Sequence, residues 1–342
     1  MKPDTRFNEI RLEVYSDEVF TIKDPVEKSE WMYLAALFIP VENKQNILSH
    51  LNAARCKKHR DWTDFEEDCT HPCGYHSKND TEVHYKEARK RNRKFEIGLE
   101  WIEFIRDIAP RKSYLNVYFK IIGLNLSNLE FDVFRSDISD KPELNIYNRF
   151  YRTVLSGGMN YFFKDYEKVV IEHIYHDKGS QEKHEYFPWH PIHSINVNND
   201  KIEICNDWIE FIDSDHKKSK QVESHFIQLI DIILGATKMC LHNDAEKYEK
   251  RKIGYEFKPV MENLLNNKQL ESGRWVGPYY SKSSPYYRRY HISFFPKKCV
   301  NKFEAANSLD GNSNNKHERE NMFFSNRPVY GTDPEQKNLF DF

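Results

Sequence analysis

The stretch Arg11-Leu-Glu-Val-Tyr-Ser-Asp-Glu-Val-Phe20 constrains the fold most. Apolar residues at 10, 12 and 14 alternate with polar ones at 11 and 13, the period of a half-buried strand. That strand runs into two adjacent carboxylates, Asp17 and Glu18, and a second strand pattern, Trp31 to Ile39, follows a polar loop containing Pro25. A carboxylate at the end of a central strand must meet water, a cation or a hydrogen-bond donor, because apolar packing cannot hold it ionised.

The same theme returns twice. Lys168-Val-Val-Ile-Glu-His-Ile-Tyr-His-Asp177 is an apolar strand that stops on an Asp, and Asp231 lies inside the strongly apolar helix Gln221–Ala236. Gln228 sits three residues before Asp231, so the two share a helix face. An apolar helix of this kind is buried, and a buried Asp needs a partner. Taken singly, each acid has an ordinary explanation as a cap or an ion-pair partner. Taken together, they suit a pair of Mg²⁺ or Mn²⁺ ions, which favour carboxylate oxygens and water.

Other elements follow from pattern. Helices are expected over 44–59, capped by Asn43, and over 95–108, 145–164 and 221–236; Gly157-Gly158 weakens the third. Strands are expected over 81–88, 114–122 and within 201–213. Strands first, then strands alternating with helices, predict one α/β domain. Residues 1–241 would form it, with a Cys/His-rich insertion at 56–80; 242–303 would be a helical and aromatic-basic extension, and 304–342 a mobile tail.

A set of short motifs resembles the family known as domain of unknown function 3800: Tyr15-Ser-Asp-Glu18, Glu82-Val-His-Tyr-Lys86, the strand to Asp177, Phe211-Ile-Asp-Ser214 and Gln228-Leu-Ile-Asp-Ile-Ile-Leu-Gly235. The resemblance covers about residues 10–240. It implies a ribonuclease-H-like α/β fold, a mixed sheet flanked by helices, with insertions and a C-terminal extension. It also implies a metal-dependent nuclease core using two ions. Asp17, Glu18, Asp177 and Asp231 would be catalytic, with Asp17, Glu82, Asp177 and Asp231 holding metal. Lys86 and Gln228 would contact substrate, Gln228 alternatively acting from behind the metal ligands. Val19 and Phe20 replace the family's usual Ser-Gly after Asp-Glu, so the turn there differs.

Two further features are independent of the resemblance. Cys56, His59, Cys69 and Cys73 have ligand types that can bind a structural Zn²⁺, although the spacing matches no common finger. The runs 89–94 and 279–291, the latter including Arg288 and Arg289, have the basic and aromatic character that meets phosphates and bases. The formal net charge of −2 excludes a uniformly basic coat but not a nucleic-acid partner. Six cysteines in 342 residues do not make a disulfide framework. No apolar run reaches about 18 residues, so a cytoplasmic protein without membrane association is expected. The motifs G-x-S-x-G and H-E-x-x-H are absent, so a serine hydrolase or zincin has no support. The alternative to an enzyme is a nucleic-acid-binding or scaffold protein that kept the fold without catalysis.

Overall fold

The computed structural model describes residues 7–25, 28–55, 82–88, 90–129, 131–134, 142–265, 268–269, 275–276 and 284–295. The Cys/His cluster at Cys56, His59, Cys69 and Cys73, the residues 279–283 and the expected tail lie outside these.

The strands are β1 (Phe7–Lys23), β2 (Glu30–Pro40), β3 (Tyr118–Asn125), β4 (Tyr166–Asp177), β5 (Ile202–Ile204), β6 (Glu210–Ile212), β7 (Lys268–Gln269), β8 (Trp275–Val276) and β9 (Tyr290–Phe295). The helices are α1 (Val41–Ala53), α2 (Arg93–Glu103), α3 (Pro142–Phe162), α4 (His190–Asn198), α5 (His216–Ser219), α6 (Ser224–His242) and α7 (Tyr248–Leu265). Seven strands form the main sheet in the order β5-β4-β1-β2-β3-β9, with β6 also on β4; β7 and β8 pair separately. The pairs β1–β2 and β2–β3 are antiparallel, whereas β1–β4, β4–β5, β4–β6 and β3–β9 are parallel. This is the mixed α/β sheet flanked by helices that the pattern predicts.

Both sheet faces are covered. Tyr15, Tyr33, Phe119 and Tyr290 pack with α1, α2, α6 and α7 on one face, and Leu12, Val14, Phe38 and Ile171 pack with α3 and α4 on the other. The run Trp31–Pro40 is buried throughout, as a strand covered on two faces must be. Gly157-Gly158 sits inside α3 without ending it. A Cβ at Gly158 would stand 2.4 Å from the Phe38 ring, so the glycine lets the helix approach the sheet.

Several local expectations shift. The first helix begins at Val41 after Pro40, and Asn43 lies buried within it instead of capping it. Residues 82–88 are not a strand: His84 accepts the Lys86 amide hydrogen and a 3₁₀ turn covers Tyr85–Glu87. Two described elements after 241 belong to the domain: α7 packs beside α6, and β9 extends the sheet beyond β3. The 19-residue α6 is long and apolar enough to cross a membrane, but its most apolar stretch is 89% buried inside the fold, which makes it the core helix.

Candidate functional site

The parallel pairing of β1 and β4 builds the site. Tyr15 pairs with Tyr175 and Ser16 with His176, so the next step along each strand sets Asp17 beside Asp177. Alternation then sorts side chains between faces. Asp17 and Asp177 share the face of Tyr15 and Tyr175, which is covered by α6 and therefore by Asp231. Glu18 and His176 share the opposite face, under α3.

Asp17 is 9% exposed. Burial raises its carboxyl well above the ordinary range, and the nearby charges of Asp231, Glu18 and Asp177 raise it further; the Glu18 amide, 2.8 Å from Oδ1, opposes this. Burial, then Glu18 and Asp231, lift Asp177 to about 7, against the influence of His84 and the Lys178 amide. Asp231 is also raised by burial, with Glu82 adding to it and His84, the Tyr85 amide and Lys238 opposing. The charges of Asp177 and Asp231 thus make ionisation of Asp17 harder, and that of Asp231 does the same to Asp177. No arginine or lysine among the described residues forms an ion pair with Asp17 or Asp177.

Asp231 is the best supported of the three. Its Oδ2 accepts the Tyr85 amide hydrogen at 2.6 Å and stands 3.2 Å from His84 Nδ1. Tyr85 reaches that position because residue 235 is glycine: a Cβ there would lie 2.0 Å from the Tyr85 ring. Gln228 fixes the same segment. Its buried amide accepts from the Val83 amide at 2.9 Å and from Arg55 at 2.6 Å, and donates to the Ser214 carbonyl at 2.6 Å. Both the carbonyl oxygen and the amide nitrogen of Gln228 are thus engaged by other parts of the chain. Glu82, half-buried, accepts from Ser214 Oγ at 2.6 Å.

On the far face, Tyr147 donates to Glu18 Oε2 at 2.9 Å, and its hydroxyl lies 2.6 Å from His176 Nε2. His176 Nδ1 donates to the Asp177 carbonyl at 2.8 Å. Tyr151 meets Ser16 Oγ at 2.7 Å. Sequence reasoning singled out neither Tyr147 nor His176. The alternation that turns Asp177 toward α6 turns its predecessor His176 toward α3, a signal that was present in the strand pattern.

Arg288 and Arg289 do not join the site. Arg288 pairs with Asp165, which precedes β4, whereas Asp177 ends it. Strand rise over β4 separates the two ends by on the order of 35 Å. Arg289 reaches the Ala109 carbonyl. Lys86 is exposed on the 3₁₀ turn next to Asp231's donor Tyr85. The basic run before α2 is engaged locally: Arg93 with Glu96 and Glu100, Lys94 with Glu87, and Arg91 over the Tyr248 ring at 3.9 Å.

The donor set is the kind that holds hard divalent cations: carboxylate oxygens in excess, with few positive charges to balance them. Among the described residues no group of three or more His, Cys, Asp or Glu side chains stands in metal-holding geometry. The residues thus match such ions in donor chemistry, but their spacing among the described residues is not that of a metal site. No protein-family model, curated protein or solved structure matches the chain.

Proposed function

We propose that this protein hydrolyses phosphodiester bonds in RNA or DNA with the help of bound Mg²⁺ or Mn²⁺, as the likeness to the domain of unknown function 3800 family implies. One observation carries the reading: Asp17, Asp177 and Asp231, from three elements, are near enough for the last two to act on the charge of the first, and among the described residues no arginine or lysine forms an ion pair with Asp17 or Asp177. Carboxylates in a merely structural role come with their neutralising partners, since an unpaired buried charge is costly.

Asp17, Asp177, Asp231 and Glu82 would be the residues that hold the ions. When bound, such ions would supply an activated water and stabilise the leaving oxygen of a phosphodiester. The protein's own contribution is placement. Tyr85 and Gln228 hold Asp231 and the 82–85 segment in position. Tyr147 and His176 fix Glu18 from the other face. Lys86 offers a positive charge at the exposed rim for a phosphate.

The side-chain spacing favours a second reading, a nucleic-acid-binding protein of the same architecture that does not cleave. The two separate on Asp17→Asn. The enzyme reading expects wild-type protein to cut single-stranded RNA, DNA or a hybrid only with Mg²⁺ or Mn²⁺, and the variant to bind but not cut. Binding by wild-type protein without cleavage of any of the three substrates would favour the second reading.

A further inference from the structure

Phe20 stands two residues beyond Glu18 and is 48% exposed. A lone exposed aromatic is ordinary; three observations set this one apart. First, the β1–β2 register shifts between Val19 and Ile22, so a bulge falls directly after the carboxylate pair. Bulges re-aim side chains and occur beside active sites. Second, one face of the Phe20 ring stacks on Tyr147, with centroids 5.9 Å apart and planes 25° apart. Tyr147 is the residue whose hydroxyl donates to Glu18, so the ring is fixed relative to the acids. Third, β4 ends at Asp177, level with Asp17, while β1 runs on to Lys23. Phe20 therefore projects from the overhang past the rim of the site. Phe7, an exposed aromatic on the same strand, stands at its opposite end and meets the Tyr166 ring at a tilt.

A half-exposed aromatic stacked on Tyr147, close in the chain to groups that would act on a phosphodiester, has the form of a base-stacking platform. We propose that Phe20 stacks on an unpaired nucleobase next to the scissile phosphate, so that single-stranded nucleic acid is the substrate form taken. This rests on the phosphodiesterase reading above. In a duplex the base faces are already stacked on their neighbours and cannot accept the ring without being extruded.

The test uses full-length protein carrying Asp17→Asn, so that binding is read without cleavage. The probes are single-stranded DNA and RNA oligonucleotides of about a dozen nucleotides, near the span of a single-strand site, with 2-aminopurine at each position in turn. Parent protein should quench one position by stacking. Phe20→Ala and Phe20→Leu should lose that quenching and bind about tenfold or more weaker, while Phe20→Trp keeps both. The leucine variant separates ring stacking from mere apolar cover. In wild-type background, Phe20→Ala should raise KM for single strands and leave kcat nearly unchanged. Unchanged binding and quenching in Phe20→Ala, or cleavage of duplex by wild-type protein at least as efficient as of single strands, would overturn the inference and leave the phosphodiesterase reading intact. Failure of wild-type protein to bind or cut any probe with Mn²⁺ present would overturn both.

Discussion

Two buried aspartates near the ends of β1 show opposite solutions to one problem. Asp24, 1% exposed, lies 2.7 Å from His242 Nδ1, and His242 Nε2 lies 2.5 Å from the Tyr33 hydroxyl. The chain supplies every partner, and the group ties the β1–β2 hairpin to the C-terminal end of α6. Asp17, 9% exposed, faces the same helix near its middle, yet its neighbours are Asp231, Glu18 and Asp177. The first arrangement is complete and stabilises the fold. The second is strained by like charges, and such strain persists where function maintains it.

That contrast is open to experiment. The largest effect is expected from Asp17→Asn, which should reduce metal-dependent cleavage by about a thousandfold or more, the scale on which removing charge stabilisation at a reacting centre acts; its circular dichroism should match wild type. Asp24→Asn should leave metal binding unchanged. His242→Ala, which breaks the complete arrangement, should destabilise the protein by about 3–5 kcal/mol in urea melts, since it strands a buried carboxylate. Gly235→Ala drives a methyl into the Tyr85 ring and should cost about 1–3 kcal/mol, while also weakening Mn²⁺ binding through the displaced Tyr85 amide. Asp177→Asn should have the reverse sign: relief of repulsion stabilises the metal-free protein by about 1–3 kcal/mol.

The pH dependence sharpens the same point. Asp177 titrates near 7 when folded and near the ordinary carboxylate value when unfolded, so the folded state binds more protons between those values. The site's contribution to stability is thus present in acid and lost as pH rises through 7. Thermal melts of metal-free protein should show a midpoint that falls across that window. Asp177→Asn should flatten the fall.

The carboxylates of the strands were legible because strand period and abrupt polarity change are local signals: Asp177 is the last residue of β4, as its apolar run indicates, whereas β1 does not stop at Asp17 and Glu18 as expected but pairs with β2 through them and runs on to Lys23. Asp231 was legible as the odd residue in an apolar helix. The segment 82–88 was misread because alternation of Glu82, His84 and Lys86 imitates a strand. The turn is set by a side-chain contact from His84 to the Lys86 amide and by tertiary bonds to Gln228 and Asp231, which no local period records. Arg288 and Arg289 were placed at the substrate on the basic and aromatic composition of their run. Their true place follows from β9 pairing in parallel with β3, Tyr290 against Phe119, a long-range register invisible to composition. Tyr147 could not be found from sequence at all, because only the packing of α3 on β1 brings it to Glu18.

The most direct test is a crystal of the protein soaked in Mn²⁺, with the ions located by anomalous scattering. Two peaks within about 2.0–2.3 Å of oxygens from Asp17, Asp177 and Asp231, both absent in Asp17→Asn, are the predicted result. A wild-type crystal at saturating Mn²⁺ with no peak at Asp17, and with the three carboxylates instead sharing protons, would contradict it.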